Sequence, residues 1–576
     1  MAHNIEKKWQ VLPTISEEIA GQLKDFSPLT RQVLFNRKIF NSSEAVTYLS
    51  AARPADTDPF RLLGMDAAVA RIRHAIENNQ IVVVYGDYDV DGVTATVLLV
   101  ECIRKAGGSA REYIPNRFEE GYGVNREALG ELKRQGVDLV ITVDCGARSP
   151  GEADFASSIG LDLIITDHHQ PGEILPQVVA LINPRQPGDT YPDKDLAGVG
   201  LAYKLAEALS SCFPGLQLEE WLDLVALGTV ADMAVLTGEN RYLVRRGLDR
   251  IRGRYRQGIA SLAGAAGLDL SRVTATNIGF ILGPRLNAAG RLETALDAYQ
   301  LLISQDVNET GRLSQLLDDR NKERRSIMNR MQEDAAILAY ERTPNPWVLF
   351  AYSSDFNEGV VGLAASRLAD RFYRPAVVGS LKGEIARFSC RSIPELHITH
   401  ALDEMADLFV RHGGHAAAAG LTIHTERIPE FIQRLEAVVE RELGRLELCP
   451  ILSADMQVNL SELRPRDYFE LAERLEPTGY GNPEVVLMSR HVKCCRAAQI
   501  GKDKATLKLT VMQGGVTYDA IAFQQGQRLS ELGDFVDLVY SVGQDTYLGN
   551  DHPRVQLLVK DIRSGQKLST TPQTDI

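Results

Sequence analysis

Aspartate and histidine side chains recur at four places in the first half of the chain, each directly after a short apolar stretch. The four clusters are Asp87, Asp89 and Asp91; Asp144; Asp167, His168 and His169; and Asp232. Carboxylates that converge on one pocket repel one another, and cations are needed to keep all of them ionised. Carboxylate and imidazole ligands suit Mn²⁺ or Mg²⁺ better than a thiolate zinc site, and the set exceeds what one ion needs. The pattern therefore predicts two divalent ions that assist phosphoryl transfer.

The clusters stand where elements of an α/β sheet are predicted to end. Ile81–Tyr85, Asp138–Val143, Leu161–Thr166 and Val178–Asn183 are short runs rich in β-branched residues, and helical patterns such as Val93–Lys105 lie between them. Continuous apolar strands that alternate with helices are typical of a parallel sheet covered on both faces. Because ligands bind at the carboxyl ends of such strands, we expect the four clusters to share one crevice.

The rest of the chain predicts two further domains around a long helix. Glu309–Arg342 is a polar helical stretch without proline, and the prolines of Thr343–Trp347 end it. A second α/β pattern follows, and after Pro450 the sequence changes to period-2 strands that predict a small barrel. The predicted division is a helical lead-in over 1–66, a parallel-sheet domain over 67–305, a connecting helix over 306–342, a smaller α/β domain over 343–448, a barrel over 449–566 and a disordered tail over 567–576.

Composition places the chain among globular, non-membrane proteins. Of its 576 residues, 44% are hydrophobic and 24% are charged, which excludes wholesale disorder. No apolar run approaches the roughly 18 residues that span a bilayer, and the polar N-terminus lacks a secretory stretch. Seven cysteines without a CxxC pair fit a reducing compartment, so we expect a cytoplasmic protein without a membrane partner. The net charge of −13 argues against a general nucleic-acid coat protein but permits local basic grooves.

Other interpretations of these motifs are weaker. Asp87, Asp89 and Asp91 match the first half of an EF-hand loop, but position 12 of that loop is Leu98 and a strand precedes it. Cys145 could be a nucleophile, although no partner signature accompanies it and a small packed residue is the simpler interpretation. Gly198–Gly200 lacks the third glycine of a dinucleotide loop. Adjacent histidines point to opposite sides of an extended chain, which favours one metal ligand and one substrate contact.

The ordered motifs DYDVDG, TVDCG, TDHH and GTVADM resemble the DHH phosphoesterase superfamily, which is named for that Asp-His-His sequence. The resemblance implies in-line hydrolysis of a phosphate ester or anhydride at a centre of two Mn²⁺ or Mg²⁺ ions. It implies the following ligands: Asp87, Asp89 and Asp144 for one ion, and Asp91, Asp144, His168 and Asp232 for the other, with Asp144 as the bridge. It further implies that His169 faces the scissile phosphate and that Asp167 orients the ligands.

The second half of the chain contains motifs that make the resemblance more specific. RHGGHAAAAG (Arg411–Gly420), which contains Gly414 and His415, resembles the DHHA1-type substrate-binding domain that is attached to DHH cores. Considered without the DHH motifs, the same segment could be a tight turn whose histidine is hydrogen-bonded within the fold. Ser389 and Arg391 stand two positions apart upstream, where an arginine fork suits phosphate.

Further motifs resemble the RecJ family in particular. They are GPRLNAAGRL, which holds Asn287 and Arg291, then LEPTGYGNPEVV, AIAF and VQLLVKDIR. The sequence departs from the family at Asp355–Asn357, at Thr478 and at Ala505–Thr506. RecJ proteins are single-strand-specific 5′-to-3′ DNA exonucleases with a C-terminal OB-type barrel. The resemblance implies single-stranded DNA with a 5′ end as substrate, and a single-strand-binding protein or a helicase as partner.

These motifs predict an exonuclease whose terminal 5′-phosphate docks against Ser389, Arg391 and His415, with Arg291 clamping a nearby phosphate. A DHH enzyme of short oligonucleotides or cyclic dinucleotides shares the chemistry but usually lacks the barrel. A silent scaffold of the same ancestry would show degenerate metal motifs. Arg241–Arg256 carries seven arginines interleaved with two tyrosines, a pattern that fits either a DNA-tracking strip or a solvated helix.

Overall fold

The structure is a computed structural model that describes residues 5–117, 120–121, 123–343, 346–545 and 554–565. The chain divides into two compact units. The first comprises chiefly Arg53–Pro450 with Gly479–Gly481, and the second comprises Lys7–Ala52, Ile451–Thr478 and the described residues from Asn482 onward. The tail predicted to be disordered, 567–576, lies outside the described residues.

The chain begins with a strand and three short helices. They are β1 (Lys8–Val11), α1 (Glu17–Gln22), α2 (Pro28–Asn36) and α3 (Ser42–Leu49). Each helix starts where a polar side chain accepts a hydrogen bond from the first turn: Ser16, Ser27 and Asn41 serve as these caps. These helices occupy the stretch where a helical lead-in is predicted.

A parallel sheet follows in the first unit. Its elements are α4 (Met65–Glu77), β2 (Ile81–Tyr85), α5 (Val90–Lys105), β3 (Ser109–Tyr113), α6 (Arg126–Arg134), β4 (Leu139–Val143), α7 (Pro150–Ser158), β5 (Asp162–Thr166) and β6 (Ala180–Ile182). The strand order is β3-β2-β4-β5-β6, and every pairing is parallel. Buried side chains cover both faces, in two hydrophobic clusters. The predicted parallel-sheet domain is confirmed.

Helices complete this domain and lead to the next. They are α8 (Gly198–Leu209), α9 (Leu222–Ala231), α10 (Gly238–Arg252), α11 (Gln257–Ala265), α12 (Ala275–Asn277), a π-helical turn (Ile278–Leu282), α13 (Gly283–Leu292), α14 (Leu296–Ile303) and α15 (Val307–Arg342). The 36 residues of α15 extend over about 54 Å, and Asp306 caps its first turn. This helix matches the predicted connecting helix.

The second α/β domain is built on a mixed sheet. Its elements are β7 (Leu349–Ser353), α16 (Val361–Phe372), β8 (Ala376–Lys382), β9 (Ile385–Arg391), α17 (Ile398–Asp403), β10 (Phe409–Gly414), β11 (Ala418–His424) and α18 (Ile428–Leu443). The strand order is β10-β11-β9-β8-β7, in which β7 and β8 are parallel and the other pairs are antiparallel. Its core is separate from that of the first sheet.

The second unit contains a closed barrel. Its later elements are β12 (Ile451–Ala454), β13 (Met456–Gln457), α19 (Pro465–Leu475), β14 (Leu487–Ile500), β15 (Thr506–Gln513), β16 (Val516–Ala522), β17 (Phe535–Asp545) and β18 (Arg554–Ser564). The barrel closes because β14 pairs with both β15 and β17. This confirms the predicted C-terminal barrel.

The N-terminal segment belongs to the barrel unit instead of forming a separate lead-in. Strand β1 pairs in parallel with β12, and Leu23, Val33 and Leu34 are fully buried in the hydrophobic cluster that contains Leu487 and Leu538 of the barrel. Leu23, which follows α1, and the apolar face of α2 are thus buried against residues more than 400 positions away. Among the described residues, no helix combines the length and apolar character needed to cross a bilayer.

Candidate metal centre and phosphate site

The turn after β2 presents the first three aspartates at the start of α5. Asp89 caps this helix, because its Oδ1 accepts hydrogen bonds from the backbone N–H groups of Asp91 at 2.9 Å and Gly92 at 3.1 Å. Gly86 permits the tight turn, since a Cβ there would lie 2.1 Å from Thr96 Oγ1. A strand, not a helix, precedes these aspartates, so the segment is not an EF-hand.

Asp91 is held by the N-terminus of α8. Its carboxylate accepts hydrogen bonds from the backbone N–H of Gly198 at 2.7 Å and of Val199 at 2.8 Å. A helix N-terminus favours negative charge, so this contact orients the carboxylate as well as stabilising it. A Cβ on Gly198 would lie 2.7 Å from Asp144 Cβ, which requires glycine. Sequence reasoning missed this role; the available signal was a glycine directly before a helical pattern.

Asp144 follows β4 in a left-handed conformation, with a φ of 61°. Its backbone N–H donates to Thr166 O at 3.0 Å, and its side chain is buried. Non-glycine residues adopt this conformation rarely, and such strain concentrates at functional sites. The turn directs the Asp144 carboxylate toward the ends of the neighbouring strands.

The structure brings the six predicted metal ligands together. His168 Nε2 lies 3.1 Å from Asp144 Oδ1, 3.8 Å from Asp232 Oδ2 and 3.9 Å from Asp91 Oδ2. Ligand atoms within 4.8 Å of one another form two groups: Asp91, His168 and Asp232; and Asp87, Asp89 and Asp144. Asp144 also groups with His168 and His169, so its carboxylate lies beside both sets.

The chemistry of this cluster fits divalent cations. His168 Nε2 and Asp87 Oδ1 are buried and have no hydrogen-bond partner among the described residues, a costly arrangement unless a ligand binds them. Burial lowers the pKa of His168 to about 3, which keeps the imidazole neutral and able to coordinate. Burial and the charge of nearby Asp91 and Asp89 raise the pKa of Asp232 to about 8. Oxygen and imidazole donors in this number suit Mn²⁺ or Mg²⁺.

This electrostatic strain predicts a stability that depends on pH and metal. Burial and the charge of Asp89 raise the pKa of Asp91 to about 7, and that of Asp232 lies near 8. A carboxyl whose pKa is raised in the folded state makes its full contribution to stability at pH values below its pKa in the unfolded chain, which is near 4. This contribution is lost as the pH rises toward 8. In EDTA, the thermal midpoint should therefore fall by about 5 °C from pH 5 to pH 8.

Thermal unfolding followed by circular dichroism, with and without Mn²⁺, checks this expectation. Mn²⁺ should raise the midpoint more at pH 8 than at pH 5, where protons compete for the carboxylates. A midpoint that is flat between the two pH values in EDTA and unchanged by Mn²⁺ would contradict the metal assignment.

The two adjacent histidines occupy different environments. His169 Nδ1 lies 2.8 Å from Asp167 Oδ1, and its side chain is 36% exposed against 12% for His168. Burial lowers the pKa of His169, but the hydrogen bond and charge of Asp167 outweigh it and raise the pKa to about 9. Asp167 is fixed in turn by the backbone N–H groups of Ala147 and His169. His169 is therefore a cation at neutral pH.

Arginines gather on the Asp89 side of the cluster. Arg291 ends α13, and its Nη1 donates to Gly359 O at 3.4 Å. Burial and the charges of Arg117 and Arg324 lower its pKa to about 10. Arg117 stacks over the ring of Tyr88, 5.0 Å from its centroid. Guanidinium groups held this close favour an anion such as phosphate between them. Sequence reasoning missed Arg117 and Arg324, because neither stands in a motif with a chemical signature.

Ser389 and Arg391 face the start of α16. A Cβ on Gly362 would lie 3.3 Å from both Ser389 Oγ and Arg391 Nη2. Arg391 Nε donates to Ser366 Oγ at 3.0 Å, and Nη1 donates to Cys390 O at 2.9 Å. These two bonds fix the plane of the guanidinium. Burial is the main cause of the lowered pKa of Arg391, and the charge of Arg117 adds to it.

The turn that holds His415 lies beside Arg391, because His415 N donates to Ala418 O at 2.8 Å and Ala418 pairs with Arg391 across β11 and β9. His415 follows Gly414 in the exposed turn between β10 and β11, where a Cβ on Gly414 would meet Ala418 O at 2.3 Å. Burial and the charges of Arg148, His169 and Arg185 lower the pKa of His415. Asn287 is half-buried on α13, one turn before Arg291.

The arginine-rich segment 241–256 is used mainly for internal contacts. Arg256 is buried between Glu101 at 2.9 Å and Asp223 at 3.1 Å, and Arg252 donates to Val273 O. Arg250 donates to Glu220 O at 3.1 Å. These bonds favour the structural interpretation over a DNA-tracking strip. Cys145 is also structural, since burial raises its thiol pKa well above the usual value.

Three family models match consecutive parts of the chain. The DHH family N-terminal domain matches residues 81–229, the DHHA1 domain matches 345–441 and the RecJ OB domain matches 454–561. Their order agrees with the three domains that the structure contains.

Relatives align with most of the chain. The single-stranded-DNA-specific exonuclease RecJ of Bacillus subtilis (strain 168) is 36% identical over 561 residues, or 96% of this chain and 70% of that protein. The protein of the same name from Escherichia coli (strain K12) is 34% identical and covers 95% of this chain and 97% of its own length. Among solved structures, RecJ in complex with Mn²⁺ from Thermus thermophilus matches with a TM-score of 0.83 and 28% identity, over 97% of this chain and 80% of that chain.

Proposed function

Because this chain belongs to the RecJ family of DHH-type exonucleases, we propose that it removes 5′-mononucleotides successively from the 5′ end of single-stranded DNA. It is a metal-dependent exonuclease specific for single-stranded DNA, with Mn²⁺ or Mg²⁺ as cofactor. We propose three further points: cleavage starts at the 5′ end, the product is a 5′-mononucleotide, and the protein acts in DNA repair and recombination. One observation carries the polarity: Arg117 lies over the ring of Tyr88, between Asp87 and Asp89, and Arg291 directly follows Gly290, where a Cβ would lie 2.6 Å from Tyr88 O.

The proposed roles of the metal ligands follow from their grouping. Asp87, Asp89 and Asp144 would hold one ion, and Asp91, Asp144, His168 and Asp232 the other. Such an ion pair activates water and neutralises charge on the attacking and leaving oxygens of a phosphodiester. The helix-bound carboxylate of Asp91 and the strained turn at Asp144 hold the ligands in place before substrate arrives.

The remaining side chains bind and orient the strand. Ser389, Arg391 and Arg117 are proposed to bind the terminal 5′-phosphate, which sets the next phosphodiester over the metal cluster and releases one nucleotide per cleavage. Arg291 binds a phosphate between these two positions. His169, kept protonated by Asp167, donates a hydrogen bond to an oxygen of the scissile phosphate. His415, in the turn beside Arg391, is proposed to donate to the terminal 5′-phosphate as well.

The alternative of a DHH phosphodiesterase for short oligonucleotides or cyclic dinucleotides is not favoured. The RecJ OB domain match over 454–561 is the feature that such enzymes usually lack. A silent scaffold is also disfavoured, since the expected carboxylates and His168 are all present and grouped. We propose a cytoplasmic location, and a single-strand-binding protein or a helicase as protein partner.

A single assay tests the proposed function. A 5′-phosphorylated, 3′-labelled oligonucleotide is incubated with the full chain and Mn²⁺, Mg²⁺ or EDTA, in single-stranded and blunt duplex forms. We expect mononucleotides to be released from the 5′ end of the single strand with either ion. No release is expected in EDTA or from the duplex. Endonucleolytic products, or release from the 3′ end, would overturn the proposed polarity.

A further inference from the structure

Two large apolar side chains stand in solvent beside the metal cluster. Phe280 is 81% exposed and Met233 is 70% exposed. Met233 directly follows Asp232, one of the grouped ligands. Phe280 lies in the π-helical turn that packs on the last turn of α9: a Cβ on Gly279 would lie 3.8 Å from Val230 Cγ1, and one on Gly283 would lie 3.3 Å from Ala231 Cβ. Both side chains therefore lie at one junction, next to Asp232.

Met233 occupies a backbone position that normally selects glycine. It follows the C-cap of α9 with a φ of 60°, and Ala234 N donates to Thr229 O across the helix end. In this type of helix termination the left-handed residue is usually glycine, because other side chains are strained there. A methionine that is strained and exposed contributes little to the fold. Its side chain is better explained by contact with a ligand.

Phe280 also lies on an unusual element. Gly283 N donates to Ile278 O, so the turn has the five-residue hydrogen bond of a π-helix. Such turns are rare and occur frequently at functional sites. The turn directs the Phe280 ring outward, whereas the neighbouring Ile278 and Leu282 are fully buried. An aromatic face exposed to this extent is suited to stacking on a nucleobase.

We infer that Phe280 and Met233 form a stacking platform for unpaired bases on the 3′ side of the scissile phosphate, an inference that rests on the proposed exonuclease function. Arg117 lies over the ring of Tyr88, and Gly290 before Arg291 packs against Tyr88 O, so these arginines lie at the Asp87 and Asp89 end of the cluster. Asp232 belongs to the other group of ligands. A strand whose 5′-phosphate lies among the arginines must cross the cluster and leave past Asp232. Its following bases then meet Phe280 and Met233.

The platform gives a physical basis for single-strand selectivity. A base in a duplex is already stacked on both faces and paired, so it has no free face for the Phe280 ring. An unpaired base gains a stacking partner at this site, and every base type can do so without a sequence code. Phe280 and Met233 are thus specificity-determining residues that do not touch the reacting atoms.

The test combines two platform variants with base-deleted substrates. Phe280→Ala and Met233→Gly should each raise KM for a 5′-phosphorylated single strand about tenfold, with kcat nearly unchanged. Replacing the second to fourth nucleotides by abasic residues should lower kcat/KM of the wild type about tenfold. The same replacement should change kcat/KM of Phe280→Ala little, because the two changes remove the same contact. Met233→Gly should keep or raise the thermal midpoint, since glycine relieves the strain.

Matched variants separate the platform from general effects. Phe280→Tyr keeps the aromatic face and should retain wild-type kinetics. Tyr255→Ala removes a ring that is 67% exposed but lies with Lys105 at the opposite end of α5, about 20 Å from the metal cluster, and should have no effect. Unchanged KM in Phe280→Ala, or an equal abasic penalty in wild type and variant, would overturn the platform. If the wild type fails to shorten single strands, the proposed function itself fails.

Discussion

Asp144→Asn is expected to reduce hydrolysis of single-stranded DNA by roughly three orders of magnitude while leaving the fold intact. Removing a residue that only hydrogen-bonds to a metal ligand typically lowers metal affinity or activity 10- to 100-fold. Asp144 itself lies beside both groups of ligands, so a larger loss is expected. Asparagine removes the charge that Asp144 would offer to both proposed ions. It also adopts the left-handed φ of 61° at this position more readily than alanine does. Single-turnover kinetics in saturating Mn²⁺ measure the loss in the chemical step.

Thermal unfolding separates this loss from misfolding. In EDTA, Asp144→Asn should be at least as stable as the wild type. It removes one of several buried carboxylates that repel one another, and burial and this repulsion are what raise their pKa values. It should also lose most of the stabilisation by Mn²⁺. Asp138→Asn, at the start of the same strand β4 where the carboxylate accepts from Ile81 N, is the matched control and should keep full activity. Wild-type turnover in Asp144→Asn would refute the shared role.

The local parts of the fold were predictable because their signals are local. Val82–Tyr85 of strand β2 is buried on both faces, and the continuous apolar run of Ile81–Tyr85 predicted the strand that the structure contains. Strand β3, Ser109–Tyr113, was missed because it lies at the sheet edge and carries charged, half-exposed residues. The parallel pairing of Lys8–Val11 with Ile451–Ala454 joins segments far apart in sequence, and no local pattern encodes it.

The candidate site likewise has residues that local sequence signals identify and residues that only long-range packing brings in. The carboxylates and His168 were identified because each follows a predicted strand or helix, where the topology of the sheet brings them together. Arg117 was missed because its contact with the ring of Tyr88 joins segments that no local pattern links. The arginines of 241–256 were ambiguous for a related reason, since the carboxylates that bind Arg256 lie 33 and 155 positions away.

The departures from the family pattern at Asp355–Asn357 are absorbed structurally. Phe356 is buried against α15 and α16, and Asn357 Oδ1 accepts a hydrogen bond from Gly359 N at 2.9 Å. Gly359 in turn contacts Arg291, and a Cβ there would lie 2.3 Å from Arg291 O. The altered loop therefore still supports the arginine. A sequence motif alone cannot distinguish this compensation from loss of the contact.

Arg391→Ala is expected to lower kcat/KM for 5′-phosphorylated single strands by about a thousandfold, and for strands with a 5′-hydroxyl by less than about tenfold. A charge-assisted hydrogen bond contributes about 1.5–3 kcal/mol, and a planar guanidinium offers two to one phosphate. Ser366 and the carbonyl of Cys390 already fix the guanidinium, so little entropy is lost when phosphate binds. Parallel kinetics on the two substrates measure the difference.

The comparison of substrates makes this prediction specific for the terminus. Arg391→Lys keeps the charge but loses the parallel fork, so it should fall between wild type and Arg391→Ala on the phosphorylated strand. Arg434→Ala, in the same domain and paired at 2.9 Å with Asp407, should leave both substrates unaffected. Equal losses on both substrates in Arg391→Ala would mean that Arg391 supports the domain instead of binding the 5′-phosphate. A selective loss would show that one arginine both positions the strand and limits each cleavage to a single nucleotide, because the distance from the terminal phosphate to the metal cluster then sets the product.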